Sequence, residues 1–571
     1  MKLFKRIFRC AAAPQTVFVM ALLVLALPNL CLAVTEPVPF VYRLVNILLP
    51  VSLYAAALTF RRRPGLVLWV LFPLVFLSAF QFVLIYLYGH SVIAVDMFLN
   101  LLTTNPGEAG ELLDNLLPGL AFIFAVYVPT LLLGALSIRR SRPLPHRWTR
   151  VTRLAASAGA AAGLLLLVFA TGKAYRAAND LYPVNVFQNI RLAVLRTRAT
   201  ARYAETSRHF TFHARPSHPA DEREVYVLVI GETARAPQFR LYGYHRNTTP
   251  RLSAMRGLFA FDKALTQSNT THKSVPMLLS AVSAADYDSI YTRKGIITAF
   301  REAGFHTVFL SNQLPNHSFI DFFGEEADEW KFVKEPTAGS HSTAGDGYDA
   351  DLLAPVDEVL RRKRRKQLIV LHTYGSHFEY RKRYPRSMAH FLPDDADEAE
   401  AANRASLVNG YDNTIRYTDR LIALLIDRLA AQDAASALLY TSDHGENIFD
   451  DSRHLFLHAS PVPSYYELHV PLLVWLSPRY RALNPAAARA LSVNARRPVA
   501  TSVSVFHTFV HLAGIRTPRL LPTLSVAHCA YRPAPALYLD DHNEARPLQQ
   551  MVRSRQDRLL FRRAGMPLPQ P

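Results

Sequence analysis

Residues 437–446 read A-L-L-Y-T-S-D-H-G-E, an apolar run of strand length that passes directly into a turn with carboxylate and imidazole side chains. Apolar runs of similar length lie at 225–230, 306–310, 367–372 and 470–475, and a longer amphipathic stretch occupies 405–430. Buried strands that alternate with helices are typical of an α/β domain with a mainly parallel central sheet. Because such sheets bind ligands at the carboxyl ends of their strands, the polar residues after each run are the candidates for function.

Four of these residues have the chemistry of a metal site. Glu232 follows the run at 225–230, Asp443 and His444 follow the run at 437–441, and Thr271 lies in a turn between the first two runs. Each alone has an ordinary explanation, because a Glu after a strand is commonly a helix cap and a Thr in a turn commonly has only a structural role in that turn. Together, carboxylate, imidazole and hydroxyl groups are ligands for Zn²⁺ or Mn²⁺. A metal on Glu232, Asp443 and His444 would activate the Thr271 hydroxyl for attack on a phosphodiester phosphorus.

Two histidines are candidates for the remaining acid–base chemistry. His377 follows the run at 367–372, and His458 lies beyond the run at 437–441. Either could hold phosphate oxygens, or protonate a leaving group and deprotonate an acceptor, while a surface or capping role is the alternative for each. Thr270 is adjacent to Thr271 and is a second candidate for the nucleophile.

The amino-terminal part of the chain has the pattern of a membrane domain. Five apolar stretches, each near or above the roughly 20 residues that cross a hydrocarbon core, lie at 16–34, 39–60, 65–89, 117–138 and 154–171. Lys and Arg precede the first stretch and fill the loops after the second and fourth, whereas the loops at 35–38 and 90–116 are acidic and contain neither. This asymmetry predicts a cytoplasmic amino terminus and an external location for everything after the fifth stretch. A cleaved signal peptide is the alternative for the first stretch.

Composition supports this division. Residues 1–171 contain 14 Lys and Arg against 5 Asp and Glu, so about half of the net charge of +19 belongs to the membrane part and indicates loop charge rather than nucleic-acid binding. The three cysteines, Cys10, Cys31 and Cys529, cannot build a disulfide framework or a Cys-rich metal site. We expect a transmembrane domain at 1–171, a linker with an amphipathic helix at 172–223, a catalytic domain at 224–545 and a carboxyl-terminal tail at 546–571.

The external loop at 90–116 contains a further candidate site. Asn100, Thr104 and Glu108 are four residues apart, so on a helix they share one polar stripe at the membrane surface. Such a stripe could hydrogen-bond the amine of a lipid headgroup, and ordinary solvated loop polarity explains the same residues almost as well. Pro106 interrupts a regular helix there, so the common face requires a kink or a first turn at Pro106.

The motifs, in this order, resemble those of the phosphoethanolamine transferases of Gram-negative inner membranes, within the alkaline phosphatase/sulfatase-like superfamily. The matching segments are G-E-T-A-R (231–235), L-Y-G-Y-H-R-N-T-T-P (241–250), T-T-H-K-S-V-P (270–276), G-S-H (375–377), Y-D-N-T-I-R-Y-T-D (411–419), S-D-H-G-E (442–446) and Y-E-L-H-V-P-L-L-V-W (466–475). The resemblance covers nearly the whole chain, including the five apolar stretches. It implies a bacterial inner-membrane enzyme with a periplasmic catalytic domain.

The resemblance also implies roles for individual residues. It places zinc on Glu232, Thr271, Asp443 and His444, with Thr271 accepting phosphoethanolamine from phosphatidylethanolamine. It makes His377 and His458 substrate-binding residues, and it assigns Asn100, Thr104 and Glu108 to the donor headgroup.

Two departures leave the acceptor open among lipid A, the lipopolysaccharide core and periplasmic glucans. Members that modify lipid A commonly have several disulfides, including one that brackets the nucleophile turn, and small residues within that turn. This chain has a single cysteine after residue 31, and Asn269, His272 and Lys273 stand beside Thr271.

Three other functions can be weighed against a phosphoethanolamine transferase. A sulfatase requires a C-x-P-x-R turn for its modified nucleophile, and the turn here contains Thr instead. A phosphoglycerol transferase shares the Thr nucleophile and five spans, and remains the nearest alternative. A non-catalytic membrane scaffold would be expected to have lost one of Glu232, Thr271, Asp443 or His444, and all four are present.

Overall fold

The structure is a computed structural model that describes residues 13–36, 38–88, 92–103, 117–140, 142–170, 175–333, 347–396, 399–566 and 568. The chain separates into two compact units between Arg196 and Thr197. The first unit is helical, and its helices are Pro14–Thr35, Phe40–Leu58, Pro64–Val70, Phe72–Tyr88, Val95–Thr103, Leu117–Arg140, His146–Ala170, Ala177–Asp180 and the start of Val184–Ala201.

The first unit confirms the predicted set of apolar helices, with one refinement. Among the described residues, four helices are long and apolar enough to cross a membrane, namely Pro14–Thr35, Phe40–Leu58, Gly119–Arg140 and His146–Phe169. The predicted third span is instead a pair, Pro64–Val70 and Phe72–Tyr86, bent by 70°. The break falls at Leu71, two residues before Pro73, because proline has no N–H to bond the carbonyl four residues earlier and its ring clashes with that carbonyl.

The second unit contains a seven-stranded sheet, as predicted for a mainly parallel α/β domain. Its strands in chain order are β1 Glu224–Gly231, β2 Leu258–Phe261, β3 His306–Ser311, β4 Glu329–Phe332, β5 Lys366–His372, β6 Ala435–Ser442 and β7 Leu472–Leu476. Their spatial order is β2-β7-β6-β1-β5-β3-β4. The block from β6 to β4 is parallel throughout, whereas β7 runs antiparallel to both β6 and β2.

Helices cover both faces of this sheet. The α-helices described in the second unit are Tyr203–Thr206, Pro250–Ser253, Thr271–Leu278, Ile296–Glu302, Phe319–Gly324, Leu353–Arg361, Arg404–Ala430, Tyr465–Leu468, Pro478–Leu483, Pro485–Asn494, Thr501–Leu512, Leu548–Met551 and Arg555–Arg563. Successive side chains of β1 alternate between the faces, so Tyr226 packs in the cluster that contains Thr501–Leu512 side chains and Val227 packs in the cluster on Arg404–Ala430. The unbroken apolar run of β1 therefore follows from burial on both sides.

Segments on either side of the sheet-forming region pack against it. Tyr203 and Phe212 are buried in the same core cluster as Tyr226, and Arg215–Pro216 pairs with Ile515–Arg516. At the other end, a hairpin of β8 Leu537–Leu539 and β9 Ala545–Pro547 precedes helix Arg555–Arg563. Apolar side chains in both segments bury against the domain, so residues 203–216 and 547–566 belong to the folded unit.

Candidate metal centre and active site

The three predicted acidic and imidazole ligands converge at the carboxyl ends of β1 and β6. These strands are parallel neighbours that place Gly231 opposite Ser442, so Glu232 and Asp443 leave the sheet side by side. His444 Nε2 lies 3.5 Å from a Glu232 carboxylate oxygen and 3.2 Å from an Asp443 carboxylate oxygen. All three side chains are buried.

Thr271 completes this cluster. It is the first residue of helix Thr271–Leu278, and its Oγ1 lies 3.2 Å from Glu232 Oε1 and 3.1 Å from His444 Nε2. The adjacent Thr270 hydroxyl instead lies 3.1 Å from the Ser268 hydroxyl and is buried. Thr271 is half-buried, so of the two threonines it is Thr271 that combines contact with the cluster and access from outside.

The chemistry of these four groups fits a bound metal ion. His444 Nδ1 lies 2.9 Å from the Gly445 carbonyl oxygen, which can only accept, so Nδ1 carries the proton and Nε2 presents a lone pair to two carboxylates. Lone pairs this close repel one another unless a proton or a metal ion lies between them. Tetrahedral ligands about 2.0–2.1 Å from a zinc ion are separated by about 3.3–3.4 Å, and the four measured separations run from 3.1 to 3.5 Å.

Burial affects both members of the Asp443–His444 pair. It raises the pKa of Asp443 to about 7 and lowers the pKa of His444 well below its usual value. In each case the buried surroundings oppose the charged form, as expected for ligands that a dication would compensate.

Neighbouring polar groups orient the ligands. Gln313 Nε2 donates to the second Glu232 oxygen at 3.3 Å and to the Thr373 carbonyl at 2.9 Å, and the Ser274 hydroxyl donates to Asp443 at 3.1 Å. Neither residue was predicted from the sequence as part of the site. Gln313 was detectable in principle, because it follows β3 at the same edge of the sheet as Glu232.

The G-S-H turn packs on the backbone of Glu232. Ser376 N donates to the Glu232 carbonyl at 2.9 Å, and Gly375 has a φ of +54°. A Cβ at Gly375 would lie 2.5 Å from the Glu232 carbonyl oxygen and 2.8 Å from its nitrogen. Only glycine therefore permits this approach.

The structure brings His377 and His458, the two candidate acid–base histidines, together beside the cluster. The rings of His377 and His458 are 5.8 Å apart, and the rings of His458 and His444 are 4.3 Å apart. His458 Nδ1 lies 3.1 Å from a Glu446 carboxylate oxygen, and Tyr380 donates its hydroxyl to the other oxygen. Burial opposes a charge on His458, but the Glu446 carboxylate prevails and raises its pKa.

The unusual neighbours of Thr271 face the carboxyl-terminal hairpin. Asn269 donates to the Ser460 carbonyl and to Glu467, both at 2.8 Å, and accepts from the Tyr538 hydroxyl at 2.6 Å. Lys273 is buried and donates to the Asp540 carbonyl at 2.8 Å. These bonds join the Thr271 turn to β8 and to the residue after it.

Of the predicted donor-headgroup residues, Thr104 and Glu108 lie outside the described residues. Asn100 belongs to helix Val95–Thr103, and its side chain lies outside the described part as well.

The second unit has a mainly parallel sheet, and two carboxylates, an imidazole and a threonine hydroxyl lie at the carboxyl edge of that sheet. This combination defines an alkaline phosphatase/sulfatase-like domain. The family model described as "Sulfatase" matches residues 224–515, just over half of the chain. The chain belongs to the sulfatase family. A second model, described as "Phosphoethanolamine transferase EptA/EptB", matches residues 50–179. The predicted resemblance to phosphoethanolamine transferases is thus confirmed.

Individual proteins show the extent of the likeness. The chain is 28% identical over 322 residues to phosphoethanolamine transferase EptC of Escherichia coli O18:K1:H7, which covers 55% of this chain and 54% of the relative. The chain thus matches about half the length of this curated relative. It is 26% identical to the zinc complex of the periplasmic domain of Escherichia coli EptC, covering 60% of this chain and 97% of that domain with a TM-score of 0.54.

One solved structure includes a membrane part. The integral membrane lipooligosaccharide phosphoethanolamine transferase A of Neisseria meningitidis covers 90% of this chain and 99% of its own, with 23% identity and a TM-score of 0.71. At this identity the likeness establishes the fold.

Proposed function

We propose that the chain is a membrane-anchored phosphoethanolamine transferase that uses phosphatidylethanolamine as donor and a cell-envelope glycolipid as acceptor. The observation that carries this proposal is the placement of the Thr271 hydroxyl within 3.1–3.2 Å of His444 and Glu232. Relatives and solved structures named as phosphoethanolamine transferases support the chemistry. A threonine nucleophile argues against sulfate-ester hydrolysis despite the family name.

We propose that Glu232, Thr271, Asp443 and His444 hold a zinc ion, with manganese as the second choice for this mixed oxygen and nitrogen donor set. When bound, the metal favours the alkoxide form of Thr271 and offsets charge on the phosphate. The zinc complex of the EptC periplasmic domain supports this assignment.

The reaction divides into two displacements. In the first, Thr271 Oγ1 bonds to the phosphorus of the donor, the bond from phosphorus to the glycerol oxygen breaks, and diacylglycerol leaves. In the second, an acceptor oxygen bonds to the phosphorus of phosphothreonine and Thr271 is released. Because Thr271 is the first residue of helix Thr271–Leu278, its phosphate lies at a helix amino terminus, which favours negative charge.

We assign His458 as the proton donor to the departing diacylglycerol oxygen, and as the base for the acceptor hydroxyl in the second displacement. The Glu446 carboxylate holds Nδ1 of His458, so Nε2 is the nitrogen that exchanges the proton. His377, beside His458, is assigned to bind phosphate oxygens. Asn100, Thr104 and Glu108 are proposed to bind the donor amine.

The basic loops of the membrane part support a cytoplasmic amino terminus. The periplasmic domains of the EptC relatives support a catalytic unit in the periplasm, anchored by the membrane part in the bacterial inner membrane.

The test uses the purified full-length protein with labelled phosphatidylethanolamine. Wild-type protein should release diacylglycerol and carry a phosphoethanolamine adduct on the Thr271 peptide, as measured by mass spectrometry. Thr271→Ala should lose both, whereas Thr271→Ser keeps a hydroxyl and should keep part of the release. An adduct on Thr270, or diacylglycerol release by Thr271→Ala, would contradict the covalent mechanism.

The acceptor is identified by comparing cells that have the protein with cells that lack it. Mass spectrometry measures the masses of lipid A, lipopolysaccharide core and periplasmic glucans from both. A gain of one phosphoethanolamine identifies the acceptor. A gain of phosphoglycerol would favour the phosphoglycerol transferase instead.

A further inference from the structure

Helix Arg555–Arg563 is held on the second unit by its inner face. The Phe561 ring is buried against Tyr465, with ring centroids 5.1 Å apart, and Asp557 is buried where it accepts from the Arg453 guanidinium. Asp557 and Phe561 are four residues apart and therefore lie on the same side of the helix. The opposite side of the helix is left to face outward.

The outer side consists of three arginines around one leucine. At about 100° per residue, Arg555 and Arg563 lie about 40° to either side of Leu559, and Arg562 lies about 60° from it, whereas Phe561 lies about 160° away. Leu559 is 42% exposed, and all three arginines are exposed. We call these four residues the arginine face.

The arginine face has a large excess of positive charge. Residues 548–566 contain five arginines and one acidic residue, the buried Asp557. Within the described part of the chain, the three arginines of this face form no ion pair. An added Cβ at Gly565 would lie 3.1 Å from Lys263 Nζ, so an ammonium group adds to the charge just after the helix. A surface of this charge attracts an anionic partner.

The exposed Leu559 indicates what kind of anionic partner fits. An apolar side chain among arginines suits a lipid surface, because the arginines can bind lipid phosphates while the leucine enters the boundary between headgroups and acyl chains. Helices long and apolar enough to cross a membrane, such as His146–Phe169, belong to the same chain. A bilayer is therefore an anionic surface that every copy of the second unit can reach.

We propose that the arginine face binds anionic phospholipids of the bilayer in which the chain is anchored. This contact gives the second unit an attachment to the lipid surface in addition to the membrane helices. It involves neither the metal centre nor the acceptor, so it stands apart from the proposed function.

The test measures contact between this helix and lipid in the full-length protein. Cys10, Cys31 and Cys529 are replaced by alanine, and Leu559→Cys is labelled with the fluorophore bimane. Single copies are placed in nanodiscs of phosphatidylcholine, with or without phosphatidylglycerol, that contain a trace of lipid with a quenching headgroup. Bimane should be quenched in the phosphatidylglycerol discs and far less in the others, and the difference should shrink as salt rises.

The variants separate this face from overall charge. Arg562→Gln/Arg563→Gln should lower the ratio of quenched to unquenched bimane by about 25-fold, since each arginine near an anionic surface strengthens attachment roughly fivefold. Arg489→Gln/Arg496→Gln is the matched control, because it removes the same charge from exposed arginines in and just after helix Pro485–Asn494. The control should be quenched like the parent protein.

Equal quenching in the two kinds of disc would overturn the inference, as would unchanged quenching in a folded Arg562→Gln/Arg563→Gln variant. An equal loss in the control would attribute the contact to net charge and would also overturn it. A bimane signal that changes only in discs holding two copies would assign the face to a second chain instead. Melting curves identify any variant that fails to fold, and the comparison of the two lipids then decides alone.

Discussion

Replacing Gly375 with alanine tests whether the G-S-H turn fixes the proposed metal ligand Glu232. An added Cβ would lie 2.5 Å from the Glu232 carbonyl oxygen, against the 3.4 Å or more of ordinary contact, so the Glu232 backbone must move by about 0.9 Å. Loss of a well-oriented ligand arrangement typically costs 10- to 100-fold in metal affinity. We expect Gly375→Ala to lose bound metal and diacylglycerol release together.

Gly243→Ala is the matched control. Gly243 also has a positive φ, of +99°, but an added Cβ there meets nothing within 4 Å. Both substitutions place a Cβ at a positive φ and so strain the backbone, but only Gly375→Ala adds the collision with Glu232. Metal per chain is measured by mass spectrometry after dialysis against a weak chelator. Equal metal content in the two variants would refute the reasoning.

Two further predictions concern His458 and the carboxyl-terminal helix. Glu446→Gln removes the charge that raises the pKa of His458, so imidazolium is lost at lower pH and the alkaline limb of diacylglycerol release should move to lower pH. An unmoved limb would show that His458 is not the proton donor. Asp557→Asn weakens a buried carboxylate that accepts from an arginine and a backbone N–H, and should lower the free energy of unfolding by about 1–2 kcal/mol in denaturant titration. Asp433→Asn, whose side chain is 91% exposed in its ion pair with Arg479, should change the free energy of unfolding by less than about 0.5 kcal/mol. Equal effects of the two substitutions would contradict the packing described for helix Arg555–Arg563.

The strands were predictable because burial on both faces leaves an unbroken apolar run. The predicted runs at 225–230 and 437–441 lie within β1 and β6, and their neighbouring polar residues meet because the two strands pair in parallel. The direction of β7 was not predictable, because an apolar run does not show whether its strand pairs in parallel or antiparallel with the neighbouring strands.

The contacts around the candidate site depended on distant pairings. Gln313 reaches Glu232 across 81 residues, and Glu446 holds His458 through a loop that returns to the same edge. Local pattern identifies which residues lie at a strand end, but not which side chain orients which ligand. The bend at Leu71 was a local feature with a local cause, Pro73, that a count of apolar residues does not register.

The hydrogen bonds that Tyr538 donates to Asn269 and that Lys273 donates to the Asp540 carbonyl bear on how the protein matures. Members of the resembling family that modify lipid A commonly bracket this turn with a disulfide, which must wait for an oxidant and can pair wrongly with other thiols. In the described residues after Thr197 the one cysteine is Cys529, which is free. Hydrogen bonds from Asn269 and Lys273 form as the chain folds, so assembly of the catalytic unit is independent of the thiol redox state of its compartment.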